Sequence, residues 1–190
     1  MTTGFHRAAQ GGVTIDLEAD EAAVLRSMGQ LILELVQPPP PQDELAAFVG
    51  IGENSERPDD PVLARLFPNG YSDDDPAVGD FRRYTEDDLR RHKRENAQAM
   101  LDAVPEQGGT VALDTGEAHA WLKALNDARL TLGTRLGLEE DTYNAYLKGQ
   151  LSASGLTGQD DELAETSMAA LHVYDWLGEL QHSLVEALSD

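Results

Sequence analysis

Long segments with helical periodicity constrain the fold of this sequence more than any other feature. Apolar residues recur every three or four positions over about 20–37, 85–104, 115–136 and 164–188. This spacing is typical of helices that bury one face. Trp121 and its apolar neighbours cover much of the third segment, so we expect that helix to lie centrally. The predicted fold class is mainly α, a helical bundle-like domain.

A small β element is predicted beside the helices. Apolar and polar residues alternate strictly over 13–17, and Gly11-Gly12 separates this segment from the short segment 5–8. Alternation next to such a turn favours a β-hairpin. We expect this N-terminal hairpin to pair with a brief strand at 110–113.

Residues at the predicted helix ends are typical of helix caps. We expect Asp20 and Thr85 to cap the first two long helices, and Asp114 to form a capping box with Glu117 at the third. Pro61 is typical of the first turn of a short helix. Four consecutive prolines, 38–41, end the first long helix, because proline lacks the N–H that continues it.

The length of 190 residues predicts one domain over 1–190. Within it, the proline-rich start predicts that 38–60 is an irregular connection. No apolar stretch approaches the roughly twenty residues of a membrane-spanning helix, and the first thirty residues do not read as a signal peptide. We therefore expect a cytoplasmic protein without membrane contact.

The charge is strongly unbalanced. The chain has 14 Lys and Arg against 35 Asp and Glu, a net charge of −21. A field of this sign repels nucleic acid at long range, so direct DNA binding is not expected. The absence of cysteine excludes disulfides, thiolate metal sites and a thiol nucleophile in these residues.

Motifs for catalysis are not apparent. The five histidines lack metal-ligand spacing, and the glycines form neither a phosphate loop nor a dinucleotide fingerprint. We predict no catalytic residues, no metal and no cofactor, and we favour a protein that is not an enzyme.

One short window concentrates positive charge. Residues 82–94 hold six cations and three acids, a net charge of +3. The cations are Arg82, Arg83, Arg90, Arg91, Lys93 and Arg94. Two interpretations follow: neutralisation within the helix through Glu86–Arg90 and Asp87–Arg91 pairs, or a docking surface for an acidic partner.

Polar residues interrupt the apolar pattern of 115–136 near Trp121. They are Asn126, Asp127, Arg129 and Arg135. A buried charge without a partner is costly, so we favour a network that ties Arg129 to a carboxylate on another helix. The alternative is a site where these side chains bind a small ligand or act in an enzyme.

Three stretches together resemble a known family. They are 60–68 (DPVLARLFP) with Tyr71 and 73–74, then 81–85 (FRRYT) with 89–90, and 121–137, whose tryptophan helix is the most specific. This acidic actinobacterial family is catalogued as a domain of unknown function, and its genes neighbour that of the ClpS adaptor. Some members are AosR-like oxidative-stress transcriptional regulators.

The resemblance implies a cytoplasmic regulatory protein that acts by protein–protein interaction, in transcription or stress response. A sigma factor, RNA polymerase or a proteolysis adaptor is the implied partner. The redox response in the family relies on cysteines, so a thiol switch is excluded here. A homodimer stays an alternative, because the last helix carries more apolar residues than one face needs.

Overall fold

The mainly α fold with a small β element is confirmed. The computed structural model describes residues 4–9, 11–37, 58–68, 77–138 and 161–189. For 77–84 and 161–167 it describes the backbone only. In chain order the elements are β1 (His6–Arg7), β2 (Val13–Leu17), α1 (Ala19–Leu35), α2 (Pro61–Leu66), α3 (Ala77–Ala103), β3 (Gly109–Leu113), α4 (Thr115–Arg135) and α5 (Asp161–Ser189).

The three strands form one antiparallel sheet in the order β1-β2-β3. His6 is opposite Thr14, and Val13 is opposite Leu113. The predicted pairing of the hairpin with the later strand is therefore confirmed. The apolar side chains of β2 are buried against the helices, which is why its sequence alternates.

The predicted cap of α1 is wrong. The cap is Glu18, whose backbone N–H donates to the Glu21 carboxylate at 2.8 Å, and Asp20 lies in the first turn. A glutamate three residues after the cap satisfies the free N–H there, so the helix begins at Ala19, two residues earlier than a cap at Asp20 would allow.

The predicted start of the second long helix is also wrong. α3 begins at Ala77, so Thr85 lies inside the helix. No proline occurs over 77–84, so the residues before Thr85 do not stop a helix. Glu86, the residue after Thr85, is buried and only 4% exposed.

The other helix-end predictions are confirmed. Pro61 opens α2, whose cap Asp60 accepts a hydrogen bond from the Val62 N–H at 2.8 Å. Asp114 and Glu117 form the capping box of α4. The connection predicted at 38–60 lies outside the described residues except for 58–60.

The central position predicted for α4 is confirmed, because α4 packs against α1, α2, α3 and α5. Trp121 is fully buried there, and its ring meets Phe5 edge-on with centroids 5.7 Å apart. Most of the buried apolar residues that the structure describes belong to one cluster, to which the sheet and the helices contribute. Side chains on different sides of α4 therefore face different neighbours, and this separation determines the candidate sites.

Candidate functional site

Arg90, one of the predicted partner-binding cations, lies inside the protein and is 5% exposed. Its Nε and Nη2 donate to Glu86 Oε1 at 3.0 and 2.6 Å, and its Nη1 donates to the carbonyl of Gln37 at 3.0 Å. The guanidinium also lies over the Phe67 ring, 4.4 Å from the centroid. The predicted Glu86–Arg90 pair is therefore present, and it joins α3 to the ends of α1 and α2.

Lys93 is also directed inward. Its Nζ donates to Asp127 Oδ1 on α4 at 2.6 Å, with side-chain exposures of 16% and 4%. Burial raises the pKa of Asp127 above its ordinary value, and the Lys93 ammonium offsets only part of that shift. This pair links α3 to α4.

Among the predicted cations whose side chains the structure describes, Arg91 and Arg94 lie on the surface of α3. Arg91 bonds Asp88 at 2.6 Å and Glu95 at 3.3 Å, so the predicted pairing with Asp87 is wrong. The hydrogen bond from Arg91 lowers the pKa of Asp88, and the same bond raises the pKa of Arg91.

Arg94 is exposed and forms no ion pair within the described part of the chain. Arg82 and Arg83 lie on the same helix, and their side chains are outside the described residues. We call Arg91 and Arg94 the α3 cationic surface.

Arg129 lies on another side of α4 and contacts α5. Its Nη1 donates to Gln181 Oε1 at 2.9 Å, and its Nη2 donates to the Tyr174 hydroxyl at 3.4 Å. The guanidinium carbon is 4.9 Å from the Tyr174 ring centroid. The carboxylate partner predicted for Arg129 is therefore not found among the described residues, and neutral side chains hold this cation instead.

A cleft of about 510 Å³ opens beside Arg129, between α2, α4 and α5. Its lining residues are Arg65, Asn126, Arg129, Leu130, Gly133, Thr134, Leu138 and Tyr174. We call it the arginine cleft.

Three of the polar and aromatic residues predicted to share this site are absent from the cleft. Trp121 is in the core, Asp127 faces Lys93, and the exposed Arg135 is 3.6 Å from Asp60.

Sequence reasoning missed three residues: Arg65 and Tyr174, which line the cleft, and Gln181, which accepts a hydrogen bond from Arg129. Arg65 reaches it because α2 packs on α4, and nothing in the local sequence marks that tertiary contact. Tyr174 and Gln181 are seven residues apart and so share a face of α5. That spacing is a signal that a helical wheel of α5 would have shown.

The apolar residues of α5 mostly face the core. Leu171, Leu177, Leu180 and Leu184 are buried, whereas Val185 is 45% exposed. The homodimer alternative stays a prediction, and light scattering tests it.

Metal-binding groups and membrane helices were sought among the described residues only. They contain no group of three or more His, Asp or Glu side chains placed to hold a metal ion. No helix in the same ranges has the length and apolar content needed to cross a membrane.

Comparison with known proteins gives a consistent result. A family model described as "Domain of unknown function (DUF2017)" matches residues 2–188. Proteins of Mycobacterium tuberculosis and Mycobacterium bovis, both named "Oxidative stress regulator AosR", are each 33% identical over 189 residues, covering 90% of this chain and 80% of the relative. No solved structure matches the chain.

Proposed function

The chain belongs to the DUF2017 family, and we propose that it is a cytoplasmic regulatory protein that acts by binding another protein. The process we propose is transcription or the response to oxidative stress, with a sigma factor or RNA polymerase as the partner. The observation that carries this proposal is the 33% identity, over 90% of the chain, to proteins named as oxidative stress regulators.

The α3 cationic surface is the docking site that we propose. Arg90 and Lys93 are held by Glu86 and Asp127, which leaves Arg91 and Arg94 to meet a partner. Exposed ion pairs such as those of Arg91 are weak and easily exchanged, so Arg91 is available to a carboxylate of another protein. Complementary charges at such an interface mainly raise the association rate constant, and salt weakens this effect because it screens exposed charges.

Direct reading of DNA fits the chain poorly. A net charge of −21 opposes the phosphate contacts on which such binding depends. Because the sequence has no cysteine, any response to oxidants through these residues uses a group other than a thiol. Regulation through a protein partner is compatible with both features.

The test is affinity capture of the tagged protein from lysate of its own host, at low and moderate salt, with bound proteins identified by mass spectrometry. We expect polymerase subunits or a sigma factor, recovered less at moderate salt. Protease components instead would move the function to control of degradation. An eluate without partners would contradict the proposal.

Charge reversal separates the docking site from the rest of the surface. We expect Arg91→Glu/Arg94→Glu to reduce capture strongly while the Tm stays close to that of the wild type. Arg7→Glu/Lys123→Glu is the matched control, since both residues are exposed and the net charge changes equally. Equal capture by the two double variants would show that α3 is not the docking site.

A further inference from the structure

We propose that the arginine cleft binds a small organic anion that carries a carboxylate or a phosphate group. The cleft volume of about 510 Å³ lies in the range of small-molecule sites, roughly 300–1,000 Å³. Two guanidinium groups, those of Arg65 and Arg129, line it together. This inference does not rest on the partner proposed for α3, because the cleft lies against α2 and α5.

Neither arginine of the cleft has a carboxylate partner among the described residues. Acids outnumber Lys and Arg by 35 to 14, yet neither Arg65 nor Arg129 forms an ion pair with a residue that the structure describes. The described part of the cleft lining contains no Asp or Glu. This described lining therefore carries positive charge within a protein of net charge −21, and it favours an anion there.

Arg129 is held in place without losing its charge. The amide of Gln181 and the phenol of Tyr174 accept one hydrogen bond each from its two terminal nitrogens. A guanidinium has five N–H donors in a fixed fork that matches carboxylate and phosphate oxygens. Its Nε is buried and has no hydrogen-bond partner among the described residues. A buried donor without a partner lowers the stability of a protein. Proteins retain such groups mainly at functional sites.

The Arg129 guanidinium lies against α5 at Gly178, where a Cβ would be 3.5 Å from the guanidinium carbon, an ordinary van der Waals distance. Gly133 of α4 gives room to the Tyr174 ring, whose Cε2 would be 3.2 Å from a Cβ there. The hydrogen bonds to Gln181 and Tyr174 therefore hold the cation in position before any ligand arrives, and such preorganisation favours tight binding.

The remaining lining residues indicate what else the ligand carries. Asn126 is exposed and offers both a donor and an acceptor. The Thr134 hydroxyl donates to the Leu130 carbonyl at 2.8 Å, so it can only accept from a ligand. Leu130 and Leu138 add apolar surface. An anion with a hydroxyl group and a short carbon skeleton fits this set better than an inorganic ion does.

The experiment is isothermal titration calorimetry of the full chain at low salt with glycerol 3-phosphate, malate and inorganic phosphate, and with glycerol as the uncharged control. We expect one of the two organic anions to bind with a dissociation constant below about 1 mM. Glycerol is expected not to bind. Whichever organic anion binds identifies a phosphate ester or a carboxylate as the ligand class.

Two variants assign the binding to the cleft. Arg65→Gln removes an exposed cation, and Asn126→Asp places a negative charge in the cleft at an exposed position, so neither is expected to unfold the protein. Each should weaken binding about tenfold or more: Arg65→Gln because a charge-assisted hydrogen bond is lost, and Asn126→Asp because the new carboxylate repels the anion. Arg7→Gln, at an exposed arginine of β1 that lies outside both proposed sites, is the matched control and should bind as the wild type does.

Two results would overturn the inference. One is that neither glycerol 3-phosphate nor malate binds in this range. The other is that Arg65→Gln and Asn126→Asp both bind an anion as tightly as the Arg7→Gln control. Capture of a protein partner through α3 is measured separately, so its failure and the failure of the cleft are distinguishable.

Discussion

Replacement of Arg90 by methionine should destabilise the protein strongly, although Arg90 lies in a charged segment whose sequence is typical of an exposed surface. The change removes two N–H donors from the Glu86 carboxylate, one from the Gln37 carbonyl and the cation over the Phe67 ring. Breaking one side of a buried ion pair costs about 3–5 kcal/mol. We expect the lower end, about 3 kcal/mol, because methionine keeps contact with Phe67.

The assay is urea unfolding monitored by circular dichroism. The slope of the free energy of unfolding against urea concentration should be the same in the wild type and the variants. A loss of about 3 kcal/mol corresponds to a Tm lower by roughly 6–12 °C for a chain of this size. The exposed Arg94→Met is the matched control and should leave the midpoint unchanged. Removal of both charges in Arg90→Met/Glu86→Leu should restore stability to within about 1 kcal/mol of the wild type.

The reasoning is refuted if Arg90→Met unfolds at the same urea concentration as Arg94→Met. It is also refuted if the double variant is as unstable as Arg90→Met, because the loss would then come from packing on Phe67 and not from the carboxylate.

Two further predictions concern pH and backbone conformation. Because burial raises the pKa of Asp127, the folded state keeps a proton there that the unfolded state loses as the pH rises above roughly 4, and it keeps that proton up to its own raised pKa. The free energy of unfolding of the wild type, relative to Asp127→Asn, should therefore fall as pH rises through that window, and urea titrations that show a rise would contradict it. Gly108 has φ +74°, and a Cβ there would lie 2.6 Å from the Leu17 carbonyl oxygen. Gly108→Ala should therefore lower the stability measured by thermal unfolding clearly more than Gly11→Ala does. At Gly11 φ is +94° and no atom lies within 4 Å of a Cβ, so we expect only the penalty of a left-handed backbone conformation, about 1–2 kcal/mol. An equal loss of stability in the two variants would show that the short contact of a Cβ at Gly108 with the Leu17 carbonyl does not add to the cost.

The elements that the sequence predicted best are those whose signals are local. The capping box of Asp114 and Glu117 and the proline that opens α2 depend on residues within one helical turn, and both are confirmed. Thr85 failed as a cap because a threonine followed by acids is compatible with a helix interior as well. Glu86 is stabilised there by Arg90, one turn further along the helix, and a cap signal contains no information about such burial.

The candidate sites were less predictable, since each depends on contacts between elements. Six neighbouring cations indicated one basic surface, but the structure places Arg90 and Lys93 inside because Phe67, the Gln37 carbonyl and Asp127 are within reach. None of those three lies near 82–94 in the sequence. Charge counting over a window therefore overestimates the surface that a partner can meet.

The polar interruptions of α4 show why one pattern produced two sites. Asp127 and Arg129 are two positions apart, about 200° around a helix, so one neighbouring helix cannot satisfy both. Asp127 meets Lys93 of α3, whereas Arg129 meets Gln181 and Tyr174 of α5. The difference between them is one of charge balance: Asp127 has an ammonium partner, whereas the partners of Arg129 among the described residues are neutral. In a basic protein an arginine without a carboxylate partner would be ordinary. In a chain with 35 carboxylates, two arginines in one cleft without a described carboxylate partner support the proposal that the cleft binds an anion.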